Sequence, residues 1–404
     1  MTDGPRVELA IVGGGVAGTA AAGMAAELGL EHVVLDEGTT DDPAVVWGIW
    51  GTRLAYVRGG RSGAIDAGAV IVATGSRDRT VVFPGWTLPG VVPLTDALTA
   101  DEPPAGRVLV VGNGPHLIAA AASLHARGAQ LIGIAEAAAV PRLTTRDRLW
   151  LRRRGVPYFP GRTIVEAIGE ERVERATVAR LGHGGGIPRD SGLADDVESI
   201  VVGFGRTPAS ELARLAGARH AWSDDHGLVP ERDAWLRTSA AGIIGCGDCA
   251  VPGRVPAAVA EGRLAAITAA LDLGRLDTDA AERLAAPIRR RLARARRVDD
   301  LRAQTFRVGS ALHRLARPDD VLCSCEDVTL AEALAALEDE PGGLADPNVL
   351  KVRTRAGMGT CQGRRCGEHL TWLVAERSNR SIGEVEPLSV RPPIVPIPIE
   401  AFGT

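Results

Sequence analysis

Twice in this chain a short apolar run ends in a glycine turn, opens into an alanine-rich stretch and returns as a second apolar run. No other feature limits the fold as much. The first copy runs Val7 to Val12, Gly13-Gly14-Gly15-Val16-Ala17-Gly18, Thr19 to Leu28 and Val33 to Leu35; the second starts at Arg107 and runs Val108 to Val111, Gly112-Asn113-Gly114-Pro115, Leu117 to Ala126 and Gln130 to Ile134. Each reads as strand, tight turn, helix and strand, the βαβ unit from which parallel sheets are built. Between the copies, β-like segments at Val45 to Trp50, Arg53 to Val57 and Val70 to Ala73 suggest a three-stranded meander. Beyond them, Glu198 to Gly203 and Gly242 to Cys246 read as buried strands and Pro256 to Leu271 as a helix. The chain is therefore α/β, with one βαβ fold interrupted by another.

The first turn carries chemistry. Gly13, Gly15 and Gly18 fit G-x-G-x-x-G, in which the glycines allow a tight turn, close approach of backbone to a pyrophosphate and close helix packing. The helix N-terminus then presents partial positive charge to the phosphates. Glu37, after the second strand, is placed to bind the ribose hydroxyls of an adenosine. The competing reading is a purely structural glycine turn. Two more strand ends suit a flavin: Val72-Ala73-Thr74-Gly75, where Thr74 and Gly75 pass close to a dinucleotide, and Ile243 to Asp248, where Gly247 is followed by the Asp248 carboxylate facing ribityl hydroxyls. The second turn is poorer, because Leu117 stands at its third glycine position, although Glu136 is spaced as a ribose anchor. It reads as a degenerate repeat, and NAD(P) is not expected there. Cys246-Gly247-Asp248-Cys249 is also a C-x-x-C, so a redox disulfide competes with the flavin role of Gly247 and Asp248.

Near the C-terminus, Cys323-Ser-Cys325 and Cys361-Gln-Gly-Arg-Arg-Cys366 form a C-x-C and a C-x4-C pair with thirty-five residues between them. Structural zinc favours C-x2-4-C pairs, and C-x-C closes poorly on one ion. Two sulfide-bridged irons need four thiolates on a wider frame, so Cys323, Cys325, Cys361 and Cys366 read as 2Fe-2S ligands. Zinc and a disulfide pair remain the alternatives. His369, close behind Cys366, is surplus to a four-thiolate set.

Composition excludes some functions. A net charge of -4 argues against a nucleic-acid-binding surface over the whole molecule. No apolar run is long enough to cross a bilayer, and Leu9 to Val12 lacks the flanks of a signal peptide, so the expected location is the cytoplasm, free or at a membrane surface. Lys351 is the only lysine, which discounts arginine richness as a signal. The helical stretch Thr278 to Arg302 carries Arg283, Arg289, Arg290, Arg291, Arg294, Arg296, Arg297 and Arg302, and reads either as a solvated connecting helix or as a docking surface for an acidic partner. Arg391 to Pro398 has proline at four of eight positions, so it is an extended tail lying along its own domain or a partner. The expected domains are 1–105 with 237–275, then 106–236, an arginine-rich linker 276–319, a cysteine domain 320–385 and the tail 386–404.

With these pieces placed, the chain resembles the large (alpha) subunit of heteromeric FAD-dependent amino-acid and opine dehydrogenases, the group of opine oxidase, hydrogen cyanide synthase, D-hydroxyproline and dye-linked proline dehydrogenases and, more distantly, sarcosine oxidase. The residues carrying the likeness are Phe83-Pro84-Gly85-Trp86-Thr87-Leu88-Pro89-Gly90-Val91, the Cys323/Cys325 pair, Gly357 to Gly367 and Arg391-Pro392-Pro393. The resemblance implies a glutathione-reductase-like pair of Rossmann-type folds and a small helical 2Fe-2S domain similar to bacterioferritin-associated ferredoxin. It also implies a smaller FAD-carrying amine-oxidase-type partner that oxidises the substrate, room for an additional small subunit, and an electron-transferring role for this chain. One departure bears on the flavin: Gly38-Thr39-Thr40-Asp41-Asp42-Pro43 leads almost directly into the meander where the family has a Pro-Gly-Gly-Gln segment and a helical stretch. The occupant expected is FAD, or ADP or ATP in its place. The stretch after Val140 is abbreviated as well. Two other classes fit the same motifs, a self-contained NAD(P)H-dependent flavin oxidoreductase and a nucleotide-binding scaffold subunit.

Overall fold

The computed structural model describes residues 4–38, 42–114, 116–138, 143–180, 193–306, 310–338 and 346–402. The centre of the shortened connection, 39–41, and the stretch 139–142 lie outside them. The chain divides into two compact units, one of residues 1–77, 206–301 and 389–404 and one of 78–205 and 302–388.

In the first unit, β1 (Arg6–Val12), α1 (Val16–Glu27) and β2 (His32–Leu35) form the first βαβ unit, and β3 (Ala44–Trp50), β4 (Arg53–Arg58) and β5 (Arg61–Val72) form the meander. The sheet order is β2-β1-β5-β4-β3, with the strand Ile243–Gly245 also on β5. β5 is shared: its first half pairs antiparallel with β4, and its second half pairs parallel with β1 and with Ile243–Gly245. Alternation along β1 sends Leu9 and Ile11 to one face and Ala10 and Val12 to the other, and both faces are buried. α1 packs on the first face against the helix Val255–Asp272. Small residues permit the approach: a Cβ on Gly262 would stand 2.1 Å from the Ala17 carbonyl oxygen.

The arginine-rich helix, Thr278–Thr305, is no mere connector. Through Leu301 it belongs to the first unit, where Ala281, Ala285 and Ile288 join the α1 core. The Arg289 guanidinium lies 4.0 Å from the Trp235 ring centroid. The tail lies on its own unit, with the Ile394 N–H donating to the Trp47 carbonyl at 2.9 Å and Phe402 edge-on to Trp47 at 5.6 Å.

The second unit holds a five-stranded parallel sheet in the order Tyr158–Pro160, Gln130–Glu136, Arg107–Gly112, Ser199–Gly203 and Val91–Pro93. An antiparallel sheet, Arg162–Ile168 with Arg175–Arg180 and Leu193–Asp196, accompanies it. The same unit includes the cysteine region, a short hairpin of Val321–Cys323 and Val328–Thr329 with helices Leu330–Glu338, Pro347–Thr354 and Gly367–Arg377. Its core gathers Leu322, Leu350, Leu370 and Val374 with Val82, and Trp86 packs against it while donating its indole N–H to the Val321 carbonyl at 2.6 Å. The Phe83 to Val91 segment thereby seats the cysteine region.

Candidate functional site

The carboxyl ends of β1, β5 and Ile243–Gly245 lie side by side and bring the first set of site residues together. Gly13 sits at φ 106°, and a Cβ there would meet the Ala73 carbonyl oxygen at 2.3 Å, so the turn needs glycine. Gly18 is required for packing, since its Cβ would fall 1.8 Å from the Gly13 carbonyl oxygen. Gly15 differs: a Cβ there meets nothing within 4 Å, and the same holds at Gly75, φ 74°. Gly15 is the N-cap of α1, whose first turn has neither a side-chain cap nor an acid. Uncapped N–H groups facing an open cradle fit a bound pyrophosphate.

The acid at this turn is Asp36. Its Oδ1 accepts the Gly14 N–H at 2.6 Å and its Oδ2 the Gly38 N–H at 3.0 Å, whereas Glu37, the anchor expected from spacing, is exposed one position later. Consecutive residues of extended chain face opposite ways, so a shift of one residue decides which carboxylate reaches the turn. Thr74 donates its hydroxyl to the Ala209 carbonyl at 2.6 Å. Asp248 accepts the Ser76 hydroxyl at 3.0 Å and the Gly253 N–H at 3.1 Å, with Arg206 at 3.6 Å.

Below Gly247 lies a group that motif reading missed. Glu261, only 2% exposed, accepts the Gly247 N–H at 2.8 Å, Arg232 through both oxygens at 3.0 and 3.4 Å, and Arg296 at 2.6 Å. Burial alone would raise this carboxyl, but the two guanidiniums outweigh it and hold Glu261 below the usual carboxylate range. The available signal was a lone acid inside an alanine-rich buried helix.

Cys246 and Cys249 are both free and buried, and the Cys249 thiol donates to the carbonyls of Val72 and Cys246. Burial, with each sulfur's proximity to the other, raises Cys246 well above its ordinary value, and burial pushes Cys249 up to about 11. These are protonated core thiols with little nucleophilic character.

The turn of the second fold is filled by the chain's own groups. Gly114 donates its N–H to Glu136 at 3.1 and 3.3 Å, and the Asn113 side-chain amide donates to the Phe306 carbonyl. Leu117 is accommodated by Gly203 on the neighbouring strand, where a Cβ would stand 3.3 Å from the leucine methyl. Glu136 is 2% exposed, and burial raises its carboxyl to about 7 against the N–H groups of Gly114 and Ala138. The folded protein thus holds this proton more tightly than the unfolded chain. Its stabilising effect is full below the ordinary value of 4.5 and is lost as pH rises through about 7. Denaturant unfolding of Glu136→Gln should show a smaller fall in stability across this pH window than the parent, by about 2–3 kcal/mol. Identical pH slopes would remove Glu136 as the cause.

In the cysteine region, Cys323 accepts hydrogen bonds from the Cys366 thiol and from the N–H groups of Gly357, Glu326 and Cys325. The Cys366 thiol is the largest cause, and together these donors bring Cys323 down to about 5 despite burial. Cys361 is raised by burial and by its contact with Cys325, and Cys366 is raised by Cys323 and burial. The sulfurs thus fall into two linked pairs, Cys323 with Cys366 and Cys325 with Cys361, and among the described residues no group of three or more His, Cys, Asp or Glu side chains is set to hold a metal ion. His369 is buried beside His313, ring centroids 5.2 Å apart, and burial followed by His313 lowers it to about 3, so it is a neutral core residue.

Residues 45–262 match the pyridine nucleotide-disulphide oxidoreductase family, and residues 319–404 match the sarcosine oxidase A3 domain. The chain belongs to the pyridine nucleotide-disulphide oxidoreductase family. This oxidoreductase is 34% identical over 373 residues to hydrogen cyanide synthase subunit HcnB of Pseudomonas aeruginosa, covering 84% of this chain and 76% of that one. It is 32% identical over 364 residues to an opine oxidase subunit of Rhizobium meliloti, covering 81% and 74%. Among solved structures, L-proline dehydrogenase from P. horikoshii aligns with a TM-score of 0.70 at 20% identity, over 100% of this chain and 81% of that one. Thioredoxin reductase of Lactococcus lactis aligns at 0.53 and 18% identity, over 67% of this chain and 100% of that one. This member of the family is a flavin-dependent oxidoreductase with the FAD-binding fold, and both named relatives are subunits of larger enzymes. No helix among the described residues is long and apolar enough to cross a membrane.

Proposed function

We propose that this chain is the electron-transferring subunit of a heteromeric FAD-dependent dehydrogenase or oxidase acting on an amino acid, opine or other secondary amine. The observation that carries this reading is the presence, in one chain, of a dinucleotide cradle built on the Gly13 turn and open at Gly15 and Gly75, and of two neighbouring thiol pairs, Cys323 with Cys366 and Cys325 with Cys361. Carbon–nitrogen oxidation belongs to a smaller amine-oxidase-type partner with its own FAD, and electrons leave to a quinone, another carrier or oxygen.

Gly13, Gly15, Gly18, Thr74, Gly75, Gly247 and Asp248 would hold the FAD, with Asp36 at the adenosine end. Cys323, Cys325, Cys361 and Cys366 would hold a 2Fe-2S cluster, whose four-thiolate donor set they supply. The bound groups supply the one- and two-electron chemistry, and the chain supplies position and electrostatics. The filled turn at Gly114 and Glu136 speaks against NAD(P) in the second fold.

The test is anaerobic purification with and without the partner, with cofactors identified by chromatography after denaturation. FAD is expected in the cradle, with no bleaching by NADH of the isolated chain and bleaching by amine only in the complex. Rapid bleaching by NADH would establish a self-contained reductase instead. ADP or ATP without flavin would establish a nucleotide-binding scaffold.

A further inference from the structure

We propose that the segment at the cysteine site, residues 351–365, the end of the helix Pro347–Thr354 and the loop after it, is a docking surface for an acidic one-electron carrier protein; this rests on the electron-transfer reading above. The segment carries Lys351, Arg353, Arg355, Arg364 and Arg365 and no Asp or Glu, in a chain whose net charge is -4. It contains Cys361 and packs on Cys325. A Cβ on Gly359 would stand 2.3 Å from the Cys325 Cβ, and the Thr360 hydroxyl is 3.9 Å from the Cys325 sulfur. Just before these contacts Met358 is 43% exposed, and Val352, on the helix leading into the loop, is 78% exposed.

Charge on this face is directed outward. Glu326 pairs with Arg355 at 2.6 Å, but the carboxylate side chain is 16% exposed and the guanidinium 67%, so the pair shows its cation to solvent. Glu368, 18% exposed, is committed to Arg79 at 3.1 Å. Arg353 and Arg365 are exposed, and Asp327 is the exposed carboxylate of the facing loop. An apolar methionine within a cationic rim suits a transient contact, in which opposite charge orients the partner and a small apolar patch lets it leave. The matching surface is acidic. The exchange would move one electron from a reduced iron–sulfur cluster held by the four thiols, itself reduced by electrons taken from the amine substrate, to the oxidised carrier, and would make or break no bond. Two arginines of Thr278–Thr305 are spent inside the first unit, Arg289 on Trp235 and Arg296 on Glu261.

The test uses the full chain with its partner subunit, and an acidic flavodoxin as probe. In surface plasmon resonance at low salt, Arg353→Glu/Arg365→Glu should weaken flavodoxin binding about tenfold, whereas Arg290→Glu/Arg294→Glu on the arginine-rich helix should not. Met358→Asp should weaken it as well. In stopped flow, oxidation of the dithionite-reduced protein by anionic ferricyanide should slow with salt and in Arg353→Glu/Arg365→Glu, and oxidation by cationic hexaammineruthenium(III) should respond in the opposite sense. Unaltered melting and absorption spectra guard against misfolding. Binding that is absent, or insensitive to these charges, overturns the docking surface, as does loss of binding only in the helix variant. A protein lacking iron and sulfide fails the electron-transfer reading but leaves the binding measurement intact, so the two failures are distinguishable.

Discussion

Cys361→Ser is expected to purify without iron or acid-labile sulfide, falling from about two irons per chain to near none, while FAD stays bound. The reason lies in how unequal the four thiols are. Cys323 is already held near the thiolate by Cys366 and three backbone N–H groups, whereas burial and its contact with Cys325 keep Cys361 protonated until something displaces its proton. A serine there offers a hard oxygen with a far higher pKa, and the remaining soft donors cannot close the set. Cys249→Ser serves as the control, since its thiol bonds to the carbonyls of Val72 and Cys246 in the first unit and its loss should leave iron unchanged. Iron retained at parental level in Cys361→Ser would sink the ligand assignment. A single zinc in the parent protein would replace the cluster by a structural ion.

Glu261→Ala is expected to destabilise the protein by about 3–5 kcal/mol, measured as a lower urea midpoint with an unchanged slope. Removing the carboxylate leaves Arg232, 12% exposed, and Arg296, 17% exposed, without their counter-charge, and it orphans the Gly247 N–H. The cost comes from uncompensated buried charge, so adding Arg232→Met and Arg296→Leu should recover a large part of it. FAD content should fall in the single variant, because Glu261 anchors the Gly247–Asp248 turn. A loss below about 1 kcal/mol would mean that water already reaches the pair.

Much of this was legible locally. Both βαβ units, the meander and the two glycine turns follow from apolar periodicity and from glycine placed where a turn demands it, and each of these signals lies within about thirty residues of chain. The limits of local reading show at Asp36. Spacing along the chain pointed to Glu37, but the choice between neighbouring acids depends on which side of β2 faces the turn, and only the register of β2 on β1 settles that. The arginine-rich helix gives the same lesson, since charge pattern suggested solvent or a partner, and the packing of Ala281, Ala285 and Ile288 makes much of it part of a core.

Residue order along the chain thus carries the elements and the cradle glycines, which rest on short-range geometry. Long-range packing carries the rest. The Glu261 triad draws on Arg232, Arg296 and Gly247, as many as thirty-five positions away, and Trp86 meets Val321 across 235. No sequence window contains such pairs, because they are selected by burial: a charge or an indole N–H removed from water must find a partner wherever the fold brings one.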